Sequence, residues 1–174
     1  LGSGTALGQA FLILSAPLLS RIFTAETFGT FALFNSFILI LSSISALRYE
    51  QSILLPKVNK NGDYLLQTSL TIGIVFSLFI GVVLFIFRNQ IGNLLDDTIF
   101  KNYMWLVGIG ILLFSIYNGF NYWNTRNLKY KTIALGRVCY SVVLVSIQVT
   151  SGLLGYNSAG FLIAGVLFGK LVEN

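Results

Sequence analysis

Long apolar stretches separated by short polar links run through the whole sequence. An α-helix needs roughly 20 mostly apolar residues to cross a hydrocarbon core about 30 Å thick, because it rises only about 1.5 Å per residue. The pattern therefore predicts an all-α fold, a polytopic bundle of about six transmembrane helices forming one unit over residues 1–174. The predicted helices cover residues 1–20, 28–46, 65–87, 103–119, 138–154 and 158–172.

The composition excludes several classes of protein. Of the 174 residues, 55% are hydrophobic and 10% are charged, whereas soluble domains carry about 25% charged residues. The net charge of +5 is spread between apolar stretches, so we expect no nucleic-acid partner. With Cys139 as the single cysteine and no histidine, we expect neither a cofactor, a metal site nor an enzyme. The sequence lacks an initiator Met and stops directly after an apolar stretch, so we expect a fragment.

The distribution of Lys and Arg predicts an orientation in the membrane. Basic residues near a membrane are retained on the cytoplasmic side. One set of alternate links and helix ends holds eight of the eleven basic residues, namely Arg48, Lys57, Lys60, Arg126, Lys129, Lys131, Arg137 and Lys170. The other set holds Arg21, Arg88 and Lys101. The N-terminus is therefore predicted to face the cytoplasm.

Small and polar residues at helical spacing predict the faces where helices meet. Gly4/Gly8 and Gly165/Gly169 have the spacing that lets two membrane helices approach closely. One face of the second predicted helix and one face of the fifth carry polar residues, respectively Asn35, Ser42, Ala46 and Tyr49, and Arg137, Ser141, Gln148 and Gly152. Asn35 and Gln148 either form interhelical hydrogen bonds or line a polar cavity.

The segment Arg48-Tyr49-Glu50 places a cation and an anion near the predicted cytoplasmic interface. Ionisable groups at membrane depth are costly, so they face a cavity or find a partner. Arg48 could attract a phosphate group, and Glu50 could bind a cation or a proton. Alternatively, Arg48 is a positive-inside anchor and Glu50 is solvated, since residues two apart do not share a helix face.

Two further polar segments each allow a functional and a simpler interpretation. Residues 121–137 are predicted to be a link in which four basic residues mix with aromatic ones, a composition suited to lipid headgroups or a lipid diphosphate. The adjacent carboxylates Asp96 and Asp97 would suit a metal-dependent diphosphate site, but such a site needs further carboxylates one turn away, and none follows. We interpret that pair as part of a solvated outer loop.

Several strings, in order, resemble the N-terminal part of bacterial oligosaccharide flippases, the Wzx-like polysaccharide biosynthesis proteins of the MATE-like superfamily. They are residues 4–10 (GTALGQA), 17–24 (PLLSRIFT), 26–29 (ETFG), 47–50 (LRYE) and 55–56 (LP), followed by the stretch from 123–126 (WNTR) through Gln148 to Gly152. No single string is diagnostic, and the resemblance rests on their order and spacing.

The resemblance implies the first of two helix bundles around a cation-lined cavity, in the bacterial cytoplasmic membrane. The implied activity is translocation of undecaprenyl-diphosphate-linked oligosaccharide for surface polysaccharide or O-antigen, with a proton or sodium as coupling ion. Implied partners are the lipid-linked oligosaccharide, membrane lipids and the second bundle of the same chain. Asn35, Arg48, Glu50, Arg137 and Gln148 are the candidates for the transport path. The alternatives are a MATE-type drug or metabolite exporter and a non-catalytic membrane subunit.

Overall fold

The computed structural model of the chain describes residues 2–45, 48–55, 59–95 and 97–174. This part of the chain forms seven α-helices and one 3₁₀ segment, Tyr49–Leu54. The helices are α1 (Gly2–Ile22), α2 (Ala25–Ile44), α3 (Asn59–Ile86), α4 (Arg88–Leu94), α5 (Phe100–Arg126), α6 (Tyr130–Leu153) and α7 (Ala159–Glu173). Predictions resting on residues 1, 46, 47, 56, 57 and 96, and on the contacts of Gly4, lie outside the described residues.

The apolar stretches fold as helices, and the prediction of an all-α bundle is confirmed. Within the described residues, four helical stretches are long and apolar enough to cross a membrane: Ala25–Ile44, Gly62–Ile86, Phe100–Arg126 and Tyr130–Leu153. The remaining two predicted spans also correspond to helices: α1 has 21 residues, with an apolar stretch over Gly8–Ile22, and α7 has 15 residues. Each of the six predicted spans therefore corresponds to a helix.

The helices extend further into the polar segments than the hydrophobic pattern indicated. The prediction of a link over residues 121–137 is wrong, because α5 continues to Arg126 and α6 begins at Tyr130. The reversal between them is short, and Leu128 adopts a left-handed conformation with φ of 56°. Aromatic and basic side chains are compatible with helical backbone at a membrane interface, so their polarity did not mark the helix ends.

The segment between α3 and α5 is also partly helical, since it contains α4. Asp97 precedes α5, and its Oδ1 accepts hydrogen bonds from the backbone N–H groups of Ile99 and Phe100 at 2.9 and 2.8 Å. These donors have no partner within the helix, so the carboxylate caps its start. Asp97 thus has a structural role, and the described residues contain no cluster of three or more metal-ligating side chains.

The chain divides into two compact units. One comprises Leu1–Leu33 and Lys131–Asn174, and the other comprises Phe34–Tyr130, so α2 contributes to both. In the first unit, Leu19, Phe23 and Leu162 are buried together, with partly buried apolar side chains packed around them. The single bundle over residues 1–174 stays a prediction.

In the second unit α3 packs closely against α5. A Cβ on Gly108 would lie 2.8 Å from the Cα of Gly81, so the two backbones nearly touch at this point. Nearer the other end of the helix pair, Gly119 leaves room for Leu70, which would lie 3.1 Å from an added Cβ. Glycine permits this approach because membrane helices associate through close van der Waals contact.

Contacts between connecting segments agree with helices that alternate in direction. In the first unit Thr27 Oγ1 donates to the backbone oxygen of Asn157 at 3.3 Å, joining the first turn of α2, next to the α1–α2 link, to the α6–α7 link. In the second unit Arg126 Nη1 donates to the backbone oxygen of Ile53 at 2.6 Å, joining the end of α5 to the 3₁₀ segment. Each contact joins links that the alternating topology places on the same side of the membrane.

Candidate functional site

The 3₁₀ segment carries a buried carboxyl group in the second unit. Arg48 precedes the segment with φ of 59°, a left-handed conformation that is uncommon for residues other than glycine. Because side chains three apart in a 3₁₀ helix lie on one face, Glu50 and Ile53 point the same way. They are 5% and 0% exposed, whereas Tyr49 is exposed. The segment packs this face against α3 and α5.

Glu50 is the least expected feature of this segment. Its Oε2 is buried and has no hydrogen-bond partner among the described residues. Buried polar atoms are nearly always satisfied in native proteins, so an unsatisfied one requires an explanation. Burial of a charged carboxylate is costly, and a proton or a cation that neutralises it relieves the cost. The solvated interpretation of Glu50 is therefore wrong.

Arg126 fixes the 3₁₀ segment to the ends of α3 and α5. Besides its hydrogen bond to Ile53, its guanidinium lies against α3 at Gly62. A Cβ on Gly62 would lie 2.9 Å from Arg126 Nε and 3.3 Å from the ring of Trp123. The absence of a side chain at this position therefore lets the guanidinium reach the backbone of the 3₁₀ segment, and the three elements are joined at one point.

The other two polar candidates of this unit differ from Glu50. Arg48 is exposed, as expected for a cation anchored at an interface. Asn35 is half-buried on α2, next to the fully buried Phe34. The structure thus separates Arg48 from the buried face that Glu50 occupies, in agreement with the prediction that residues two apart do not share a face.

In the first unit, Gln148 acts between two helices. Its side chain is 2% exposed, and its Nε2 donates to the backbone oxygen of Leu162 on α7 at 3.0 Å. A Cβ on Gly165 would lie 2.9 Å from Gln148 Cγ. Of the two interpretations open for Gln148, these contacts favour the interhelical hydrogen bond over the cavity lining.

A buried ion pair lies near the end of α7. Lys170 Nζ is 2.6 Å from Glu173 Oε2, and the two side chains are 8% and 3% exposed. The ammonium group also lies 5.0 Å from the centre of the Tyr140 ring on α6, a cation–π distance. Gly136 and Gly169 allow this proximity, since added Cβ atoms would lie 3.3 Å from Glu173 O and 3.0 Å from the Tyr140 ring.

Arg137 adds a second positive charge near Lys170. It is half-buried on α6, one turn before the buried Ser141. Two basic side chains and the carboxylate of Glu173 thus lie close together. We refer to Arg137, Tyr140, Lys170 and Glu173 as the α6–α7 charge cluster.

Comparison with known proteins gives one result that covers most of the chain. The sequence model of a family described as polysaccharide biosynthesis protein matches residues 18–173. The chain belongs to this polysaccharide biosynthesis protein family. Neither a curated protein nor a solved structure gives a significant match. The resemblance noted from the sequence is thereby confirmed, and the family supports a role in polysaccharide biosynthesis.

Within this family member, the five candidates from the sequence fall into two sets. Asn35, Arg48 and Glu50 belong to the unit Phe34–Tyr130, whereas Arg137 and Gln148 belong to the other unit.

Two features of the structure were not predicted from the sequence. Arg126 was counted only as a topological charge, and its contact with the 3₁₀ segment spans 73 residues of sequence. The ion pair of α7 had a local signal, a lysine and a glutamate three residues apart on one helix.

Proposed function

We propose that the chain is part of a transporter that moves undecaprenyl-diphosphate-linked oligosaccharide from the inner to the outer leaflet of the bacterial cytoplasmic membrane. The observation that carries the proposal is the family match over residues 18–173 of a membrane-type helical chain. A charged sugar-diphosphate headgroup does not cross hydrocarbon unaided, so a protein must offer it a polar path. The product would serve surface polysaccharide or O-antigen synthesis.

In this proposal, cations of the chain bind the diphosphate. Arg48 is exposed, and no carboxylate pairs with it among the described residues. Arg137 belongs to the α6–α7 charge cluster, where it is half-buried on α6 near Lys170. Guanidinium groups present several donors in a planar fork and suit phosphate oxygens. Arg48 and Arg137 are therefore the proposed headgroup contacts.

Glu50 is the proposed site of the coupling ion, a proton or sodium. Support comes from its burial and from the unsatisfied Oε2, which a bound proton or cation would neutralise. Release of that ion would leave a buried charge beside the joint that Arg126 makes with Ile53. The occupied and empty states of Glu50 would then favour different positions of the 3₁₀ segment.

The proposed orientation keeps the N-terminus and the 3₁₀ segment on the cytoplasmic side. A second helix bundle of the same protein is proposed to complete the path, and rocking of one bundle against the other would give alternating access. Asn35 is proposed to line the path, whereas Gln148 supports the packing of α6 against α7.

The experiment replaces Arg48, Arg137 and Glu50 singly by Gln in the complete protein. Each replacement is expected to lower surface polysaccharide without lowering the amount of protein in the membrane. Arg21→Gln is the matched control, because Arg21 is exposed at the end of α1 and lies among the basic residues of the opposite predicted side. Wild-type amounts of polymer in all three variants would refute the site assignments.

A second assay separates the flippase from an exporter on the same fold. Vesicles containing the protein are offered either lipid-linked oligosaccharide or small organic cations. Translocation of the lipid-linked sugar is expected, with Glu50→Gln abolishing its response to an imposed proton or sodium gradient. Transport of the organic cations without that of the lipid would instead identify an exporter.

A further inference from the structure

In the second unit, the surface of the α3–α5 pair contains a groove of about 280 Å³. Its walls are Ser77, Leu78, Gly81, Val82 and Phe85 of α3 and Trp105, Gly108, Ile109 and Leu112 of α5. The close approach of Gly81 and Gly108 forms its floor, since no side chain fills the space between the two backbones. The volume is close to the lower end of ligand pockets, about 300–1,000 Å³.

The length of the groove matches one leaflet of a bilayer. Ser77 and Phe85 are eight residues apart on α3, which corresponds to about 12 Å at about 1.5 Å per residue. Half of a hydrocarbon core about 30 Å thick is about 15 Å. Both α3 and α5 contain membrane-crossing stretches, and the groove walls Val82 and Phe85 are exposed, so hydrocarbon chains have access to this surface. A single acyl chain of ordinary length fits such a groove, whereas an undecaprenyl chain is much longer than one leaflet.

A positively charged side chain, Arg88, lies at one end of the groove. Arg88 begins α4, just beyond the end of α3, and its guanidinium carbon lies 4.9 Å from the centre of the Phe85 ring. Phe85 is a wall of the groove, so the charge is held directly at its mouth. Arg88 is exposed, and no carboxylate pairs with it among the described residues. Guanidinium groups bind phosphate oxygens through several donors.

Trp105 also lies where it would contact a lipid in the groove. It is 51% exposed and forms part of the groove wall near the start of α5. Indole rings settle at membrane interfaces because an apolar ring carries one polar N–H group. A lipid in the groove would thus meet hydrocarbon along its chain, an indole near its glycerol region and a guanidinium at its phosphate.

We propose that this groove is a binding site for an anionic glycerophospholipid, with one acyl chain between α3 and α5 and the phosphate at Arg88. The occupant belongs to the leaflet at the α3–α4 end. The site is distinct from Glu50 and from the α6–α7 charge cluster, and it does not depend on the transported substrate.

The test uses quenching of Trp105 fluorescence by brominated lipids. The complete protein and its Trp105→Phe variant are reconstituted into phosphatidylcholine vesicles containing a small fraction of chain-brominated phosphatidylglycerol. The difference between the two proteins isolates the signal of Trp105. We expect about fivefold more quenching than the same fraction of brominated phosphatidylcholine gives, the preference typical of one basic side chain for an anionic lipid surface.

Two variants separate the headgroup contact from the groove. Arg88→Gln is expected to remove the preference for phosphatidylglycerol, while Arg21→Gln preserves it. Val82→Phe places a ring in the groove and is expected to lower the quenching, whereas Val75→Phe, at an exposed position of α3 outside the groove, leaves it unchanged. The melting temperature of each variant shows that it is folded.

Three results would overturn the proposal. The first is equal quenching by brominated phosphatidylglycerol and phosphatidylcholine in the unmodified protein. The second is an unchanged preference in folded Arg88→Gln or unchanged quenching in folded Val82→Phe. The third is stronger quenching by a brominated polyprenyl phosphate, which would assign the groove to the transported lipid class. None of these results depends on whether the protein flips oligosaccharide.

Discussion

Replacement of Gly108 by Ala tests the close contact that holds α3 and α5 together. An added Cβ would lie 2.8 Å from the Cα of Gly81, and that neighbour is backbone, which cannot rotate away. The helices must separate until the contact reaches at least about 3.4 Å, the start of ordinary van der Waals distances. The same separation would loosen Gly73 and Ser115, which also face each other across this pair.

The expected magnitude follows from two opposing terms. Overpacking of a tight contact costs about 1–3 kcal/mol, whereas Ala in place of Gly within a helix gains about 0.8–1.0 kcal/mol. The net loss at Gly108 is therefore about 0–2 kcal/mol relative to the unmodified protein, and about 1–3 kcal/mol relative to Gly29→Ala, which gains the same helix propensity without the overpacking. For a chain of this length each kcal/mol shifts the melting temperature by about 2–4 °C, so Gly108→Ala is expected to melt several degrees lower than Gly29→Ala.

Two alanine substitutions provide matched controls for the thermal assay in detergent. Gly81→Ala places its Cβ 3.4 Å from the Cα of Gly108, an ordinary contact, and is expected to melt near the unmodified protein. An added Cβ at Gly29 of α2 meets nothing within 4 Å, so Gly29→Ala is expected to melt at the same temperature or higher. If Gly108→Ala melts no lower than Gly29→Ala, the packing of α3 on α5 described above is incorrect.

Three further substitutions test individual contacts. Gln148→Leu removes an interhelical hydrogen bond and should cost about 0.6–1.7 kcal/mol in the same assay; an unchanged melting temperature would contradict its structural role. Asp97→Ala should destabilise the start of α5 by about 1 kcal/mol, seen as faster amide exchange confined to the first turn, and exchange that stays slow there would refute the cap. Lys170→Met leaves a buried carboxylate unpaired and should cost about 3–5 kcal/mol, and Glu173→Gln in the same chain should recover much of it. Failure of that recovery would contradict the pairing of Lys170 with Glu173.

The helices of this protein could be predicted from the sequence because membrane crossing imposes a strong and local requirement on length and apolarity. Their ends could not be predicted as well. Residues between 119 and 126 are polar and aromatic, which resembles a link, yet hydrogen bonding along the backbone continues through them to the end of α5. A helix end depends on caps and reversals, such as the left-handed Leu128, and these leave little trace in hydropathy.

For the candidate site, the sequence indicated the unusual residues but not their contacts. Arg48 and Glu50 were identified as chemically unusual, but burial of Glu50 depends on how the 3₁₀ segment folds against α3 and α5. That arrangement is fixed by Arg126, far away in sequence, and by the missing side chain at Gly62. Periodicity within one segment carries no information on such a contact, whereas the local pair Lys170–Glu173 was readable from spacing alone.

The proposed translocation of lipid-linked oligosaccharide can be measured in vesicles containing the complete protein. Fluorescent undecaprenyl-diphosphate-linked oligosaccharide is placed in the inner leaflet, and a membrane-impermeant glycosidase outside reports its arrival in the outer leaflet. We expect rapid cleavage of the inner-leaflet pool in vesicles that contain the protein. Cleavage should be slow in protein-free vesicles and in vesicles that contain the Arg137→Gln variant. Equal cleavage rates with and without the protein, under an imposed proton or sodium gradient of either direction, would refute the proposed translocation.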